Sequence, residues 1–298
     1  MEELFRRDEN NPNIFYASSI DCLEQLELKN EGHEGRIYRC QIGNESHAIK
    51  EIKLDSLEKP TMQYSRKTNK IEEMLKLPKH DNFVRLDGLI VLEGTDFIFP
   101  AYVMEDLFHC ESFHKFAINP KHPKYKERIR FLIQLSIALE WAHKNGIIIG
   151  DHKESNILLN PNKNYLPIFM DRDNNMLANK ERTKIYPFDN MPPTMEDLLY
   201  VSKYTIPNDI SGLFEIFRSL DISGFTIMAL RVIFRDGYWQ AEGLTKEMIK
   251  KRLNTMVSYG VINESEKEEF ELLLSDSLDK PSPTNLLKRI QNSPRYWK

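Results

Sequence analysis

Hydrophobic and polar residues follow two different rhythms along this chain, and the change comes near Glu105. Before it, short runs rich in β-branched and aromatic residues predict strands over Ile37–Ile42, His47–Ile52, Leu89–Leu92, Phe97–Phe99 and Ala101–Met104. Gly43-Asn44-Glu45 supplies turn chemistry between the first two. One helix interrupts them, from about Lys70 to Leu77, stopped by Pro78. After Glu105 the apolar spacing is helical. Ile129, Leu132, Ile133, Ile137, Ala138 and Trp141 predict a helix over Arg128–His143. Thr245–Val257 and Glu264–Leu274 follow, the latter with Asn263 or Ser265 as its cap. The stretch from Asp171 to about Pro207, rich in Asn and Pro, reads as one long irregular segment, and such loops are usually functional. The pattern therefore predicts an α+β fold in two lobes. A small β-rich lobe spans residues 24–105 and a larger helical lobe spans 106–298, with an extension over residues 1–23.

Composition narrows the partners. The chain has 298 residues, 41% hydrophobic and 29% charged, an ordinary globular balance. A net charge of -4 supplies no global positive field for nucleic acid. The basic run from Lys121 to Arg130 suits a solvated helix start. Three widely spaced cysteines, Cys22, Cys40 and Cys110, fit free thiols in a reducing compartment. The first residues are acidic and polar, unlike a secretory leader, and Phe225–Phe234 is too short and too interrupted by Arg231 to span a membrane. A cytoplasmic location is expected, either in its own cell or, for an injected effector, in a host.

The candidate chemistry concentrates between two apolar runs, at Gly150-Asp151-His152-Lys153-Glu154-Ser155-Asn156. Phosphoryl transfer needs a carboxylate to take the attacking hydroxyl's proton, a cation near the transferred phosphate, and an oxygen ligand for Mg²⁺. Asp151, Lys153 and Asn156 stand at the spacing of the protein-kinase catalytic loop, and their roles here are what that resemblance implies. Next comes Pro167-Ile168-Phe169-Met170-Asp171-Arg172-Asp173, an apolar strand that delivers a carboxylate, as a metal-binding Asp requires. Asp171 directly follows the apolar run and is the first choice of ligand, with Asp173 the alternative. Upstream stand Asn30-Glu31-Gly32-His33-Glu34-Gly35 and Ala48-Ile49-Lys50.

In this order the segments resemble the protein-kinase family over roughly residues 24 to 290. The resemblance implies a bilobal kinase-like fold, ATP and Mg²⁺ as cofactors, and a protein hydroxyl as acceptor. Lys153 is the residue that favours Ser/Thr over Tyr. By the same resemblance, Asn30, Gly32 and Gly35 belong to a phosphate-covering loop, in which Asn replaces a first glycine. Ile37 and Ala48 would enclose the adenine, and Met104, Glu105 and Leu107 would form the gatekeeper and hinge. Lys50 would hold the α- and β-phosphates, positioned by Glu72 or its neighbour Glu73. Asp221 would open a central helix and anchor the catalytic loop, and Lys280-Pro281-Ser282 would stand near the end of the domain.

The family pattern is broken in places. Its H-R-D triplet reads Ile149-Gly150-Asp151, its D-F-G reads Asp171-Arg172-Asp173, and no A-P-E precedes Asp221. Loss of the arginine removes the group that would clamp a phosphorylated loop. Two further readings stay open: a nucleotide-binding pseudokinase acting as scaffold or switch, and a small-molecule kinase. His152 is either a substrate contact or a position tolerant of many residues. His109-Cys110 with His114 lacks further ligands at metal spacing and reads as a surface turn.

Overall fold

Period-two alternation builds a seven-stranded sheet from the first part of the chain. Its strands are β1 (Phe5–Arg7), β2 (Ile14–Ala17), β3 (Glu27–Gly32), β4 (Gly35–Ile42), β5 (Glu45–Ile52), β6 (Leu86–Leu92) and β7 (Ile98–Glu105). They lie in the order β1-β2-β6-β7-β5-β4-β3. This is a computed structural model that describes residues 4–19, 21–32, 35–52, 60–118, 125–170, 175–178, 185–186, 209–234, 246–260 and 262–293. Along β4, Tyr38, Cys40 and Ile42 turn inward while Arg39 and Gln41 face water. Central β5 buries every side chain from His47 to Lys50, as a strand covered on both faces must.

The residues set apart as an extension join this sheet. β2 runs parallel to β6, and Phe5 and Phe15 enter one core with Cys40, Ile49, Phe99 and Val103. The strands expected over Phe97–Phe99 and Ala101–Met104 are instead the single strand β7, which passes through Pro100. The β6–β7 register jumps from Leu89↔Tyr102 to Val91↔Ile98, so the proline sits in a bulge that asks no ladder N–H of it. Helix α1 (Pro60–Leu75) begins well before the expected Lys70.

All three cysteines are free thiols. Burial pushes Cys22 up to about 11 and Cys40 up to about 12.

The chain divides into two compact units, Met1–Cys110 and Glu111–Lys298. The second opens with β8 (Glu111–Ser112), α2 (Phe113–Ile118) and α3 (Tyr125–Lys144). Short strands follow: β9 (Ile147–Ile148), β10 (Ile157–Asn160), β11 (Leu166–Phe169), β12 (Met176–Ala178) and β13 (Ile185–Tyr186). They form two small sheets, β11-β10-β8 and β13-β12-β9. Strands β12 and β13 thus lie within the stretch read as irregular. Its other residues, 171–174, 179–184 and 187–207, are outside those described, Asn175 excepted.

Four further helices lie among the described residues of the unit: α4 (Ile210–Phe234), α5 (Lys246–Ser258), α6 (Glu264–Leu273) and α7 (Pro283–Asn292). Helix α4 is buried almost all round, from Phe214 through Phe225 to Ile233, which marks it as the core of the unit. Asp221 lies in its middle, not at its start as the sequence suggests, because the helical run extends back to Ile210. Helix α3 packs on α4 and α7. Arg128 of α3 donates to Val232 O at 2.7 Å and Ile233 O at 3.3 Å, bringing a cation to the last carbonyls of α4. Asn263 and Glu266 form a capping box at the start of α6.

The segment before α7 is tied to α4 by polar side chains. Ser219 Oγ donates to Ser277 O at 2.8 Å, and Lys280 Nζ donates to Ser219 O at 2.9 Å and to Ser223 Oγ. Among the described residues, no helix is long and apolar enough to cross a membrane.

Two predictions follow from this packing. Gly146 has φ of 77°, and a Cβ there would meet Ala178 O at 2.4 Å, whereas Gly94, at φ 75°, has open space. Gly94→Ala should therefore lose only about 1 kcal/mol, and Gly146→Ala roughly 2–4 kcal/mol, in urea titrations. Equal losses would refute the close approach.

The second concerns Lys280, whose ammonium burial pushes down to about 7 despite the opposing pull of Asp276, with Arg218 adding to the depression. The unfolded lysine then binds more protons than the folded one between about pH 7 and 10, so its contribution to stability rises with pH across that window. Wild type should gain stability relative to Lys280→Met from pH 7 to 9, by up to about 1.4 kcal/mol per pH unit. Parallel pH profiles would rule this out.

Candidate functional site

Each unit carries its own group of candidate residues. In the first, the β3–β4 hairpin closes with Gly32 opposite Gly35, and Asn30 stands opposite Ile37 just after a register shift. His33 and Glu34 lie outside the described residues. Lys50 is 4% exposed on β5, paired in register with Ile37 of β4 and Tyr102 of β7. Ala48 stands opposite Met104 of β7, and both are buried, as is Leu107.

Glu105 is fixed by Arg85, whose backbone N–H donates to Glu105 Oε1 at 2.8 Å and whose carbonyl accepts from Glu105 N at 3.0 Å. Asp106 accepts from Ser46 Oγ at 2.6 Å, Arg39 Nε at 2.7 Å and its own neighbour Phe108 N at 2.9 Å. Burial would raise its pKa, but these three donors outweigh burial and hold it below the usual carboxylate range.

The expected Lys50–Glu72 pair is not formed. Glu72 is half-buried on α1 and makes no ion pair among the described residues, while Glu73 is engaged by Lys76 at 2.7 Å. One helical turn separates Glu73 from Lys76, and that local pairing takes the second candidate acid.

The second unit holds the loop between β9 and β10. Gly150 takes φ of 77°, a left-handed conformation that most side chains resist. An arginine in this triplet would be strained on this backbone. The next turn is locked internally, with Asp151 N donating to Ile149 O at 2.9 Å, Lys153 N to Asp151 O at 3.0 Å and Asn156 N to Lys153 O at 3.0 Å. These bonds bring the three polar side chains together. Asn156 Nδ2 donates to Asp151 Oδ2 at 2.8 Å, and Lys153 Nζ lies 2.5 Å from the same oxygen. Asp151 Oδ1 is outside both contacts.

With its amide nitrogen so used, Asn156 keeps its carbonyl oxygen as a ligand for a hard cation, and its donor chemistry fits Mg²⁺. Met170 N donates to Asn156 O at 2.9 Å, which ties the end of strand β11 to Asn156. Asp171 and its alternative Asp173 lie outside the described residues. Among those described, no group of three or more His, Cys, Asp or Glu could hold a metal ion.

Asp221 holds this loop from beneath. Oδ2 accepts from Ile149 N at 3.0 Å and His143 Nε2 at 2.8 Å, and Oδ1 accepts from Gly150 N at 2.7 Å and His152 Nε2 at 2.6 Å. Complete burial would raise its pKa. The two histidines more than offset that and keep it well below the ordinary carboxylate value. His152, read from the sequence as a substrate contact or a position tolerant of many residues, has its ring buried and bonded to Asp221. A second tie lies further along, where buried Glu154 meets Arg231 of α4 at 3.2 Å.

Sequence reasoning missed the roles of His143, Glu154 and Arg231, and for His152 it missed the bond to Asp221. A histidine directly after Asp151 was a signal, but its partner stands 69 residues away.

The protein kinase domain is the family that matches, over residues 26–290. Among curated relatives, human cyclin-dependent kinase-like 5 is 26% identical over 151 residues, covering 51% of this chain and 15% of that protein. Cyclin-dependent kinase C-2 C of Arabidopsis thaliana is 27% identical over 155 residues, 50% of this chain and 22% of its own. Mitogen-activated protein kinase HOG1 of Cryphonectria parasitica is 27% identical over 125 residues, 42% of this chain and 32% of its own. The chain thus spans less than a third of the length of these relatives. The family match takes in the Lys50 strand, the Asp151 loop and the Asp221 helix alike, and the chain belongs to the protein kinase domain family.

Proposed function

We propose that this protein transfers the γ-phosphate of ATP to a serine or threonine hydroxyl of a protein substrate, with Mg²⁺. The observation that carries the reading is the convergence of Lys153 and Asn156 on one oxygen of Asp151, Oδ2, with Oδ1 outside both contacts. In this mechanism Asp151 Oδ1 accepts the proton of the attacking hydroxyl. The hydroxyl oxygen forms the new P–O bond as the bond to ADP breaks. Lys153 leaves Asp151 to balance charge on the transferred group. Lys50 holds the α- and β-phosphates, and Glu72, the α1 acid without an ion-pair partner among the described residues, comes to position it. Asn156 Oδ1 and Asp171 would hold Mg²⁺, which would neutralise phosphate charge.

Asn30, Gly32 and Gly35 cover the phosphates. Ile37, Ala48, Met104, Glu105 and Leu107 receive the adenine. A small-molecule acceptor is the weaker alternative, and competition between protein and small-molecule acceptors for label separates the two. The site is assigned to a reducing cytoplasm.

A second reading, a nucleotide-binding pseudokinase that serves as scaffold, draws on one observation: Glu72 forms no pair with Lys50. Purified protein incubated with γ-labelled ATP, Mg²⁺ and a basic protein acceptor discriminates them. Transfer is expected for wild type, with Asp151→Asn reduced by about 10³-fold or more yet still binding ATP in thermal-shift assays. Asp171→Ala should lose transfer and the Mg²⁺-dependent part of nucleotide binding. Binding without transfer in wild type would select the pseudokinase, and an Asp151→Asn enzyme of normal rate would sink the assignment of the base.

A further inference from the structure

We propose that His152 is a positioning residue for Asp151, fastening the trailing side of the catalytic loop to α4 through the carboxylate of Asp221. The inference rests on the phosphoryl-transfer reading for its role, and on geometry for its placement. His152 directly follows Asp151 and is 3% exposed. Its Nε2 lies 2.6 Å from Asp221 Oδ1. A carboxylate held ionised can only accept, so Nε2 carries the proton and the tautomer is fixed.

The ring stands edge-on to two aromatic neighbours. Its centroid is 5.7 Å from Phe225 of α4 and 6.1 Å from Phe169 of β11, at interplanar angles of 83° and 74°. Its Nδ1 is buried with no hydrogen-bond partner. A side chain needed there only for packing would carry no such nitrogen, because an orphaned polar atom in an aromatic slot is unfavourable. What the imidazole adds over an apolar residue is the Nε2–H bond to Asp221.

That bond completes a bracket. Ile149 and Gly150, just before Asp151, reach Asp221 through backbone N–H groups, and His152, just after it, reaches the same carboxylate through its side chain. Asp151 is therefore suspended between residues bonded to one anion. Without His152, the next tie of the trailing side to α4 is Glu154–Arg231, three residues beyond Asp151, and the carboxylate drifts relative to the hydroxyl it must meet. Lys50, in the other unit, is untouched by that loss. The defect belongs in kcat and not in the KM for ATP.

The test compares three substitutions. His152→Gln carries an amide donor near the position of Nε2. His152→Asn carries one that is too short to reach Asp221, and His152→Leu fills the slot with no donor. Leu and Asn should lower kcat about ten- to a hundredfold with KM for ATP within about twofold, and Gln should recover most of the rate. Wild-type kcat in the Leu variant, or equal loss in Gln and Asn, would overturn the proposal.

Amide hydrogen exchange on the same proteins provides a readout independent of catalysis. Exchange at residues 150–153 should accelerate in Leu and Asn and return towards wild type in Gln, and unchanged exchange in Leu would also overturn the proposal. If wild type transfers no phosphate, the transfer reading fails by itself, and exchange alone decides whether His152 positions the loop.

Discussion

The buried carboxylate of Asp221 is the constraint on which the second unit's site depends. Taking an ion out of water costs several kcal/mol, and each hydrogen bond to a charged group returns about 1.5–3 kcal/mol. A carboxylate with no exposed surface at mid-helix is tolerable only because four donors converge on it. Those donors come from α3, from the backbone of the loop and from a loop side chain, so one anion fixes both α3 and the loop to α4. The same helix holds the loop again at Glu154–Arg231. A segment without regular secondary structure, apart from one short turn, thereby gains the rigidity of the most buried helix in the unit.

How far this was legible in the sequence depended on how local each feature is. Lys50 on its strand, and Asp151, Lys153 and Asn156 at their spacing, are set by bonds spanning a few residues, and the structure does draw the loop triplet together. The helices over α3, α5 and α6 announce themselves by periodicity and, for α6, by its cap. Asp221 was readable only through family resemblance, and its two histidines not at all, because these contacts join residues 78 and 69 positions apart. The extension failed for a related reason. β2 pairs with β6 across a long separation, and a four-residue strand is too short to declare its own period.

Gly150 shows how a departure from a family pattern can be a backbone fact before it is a regulatory one. Its φ of 77° suits a residue without a Cβ, and its N–H is spent on Asp221. The missing arginine and the shape of the loop are thus one choice, since a side chain there would have to strain the peptide that the anchor holds. Asp106 plays a comparable part in the first unit. With Ser46 and Arg39 on one carboxylate, the segment following β7 is fastened to β4 and β5 by side chains as well as by the sheet.

The differing burial of the three thiols has a practical side. Cys22 and Cys40 are shut inside the core with their thiols pushed far towards the protonated form, whereas Cys110 is partly open. Maleimide chemistry requires an accessible thiolate. A fluorophore added to the folded native chain would therefore attach at a single natural position, the last residue of the first unit, with no cysteine needing to be removed.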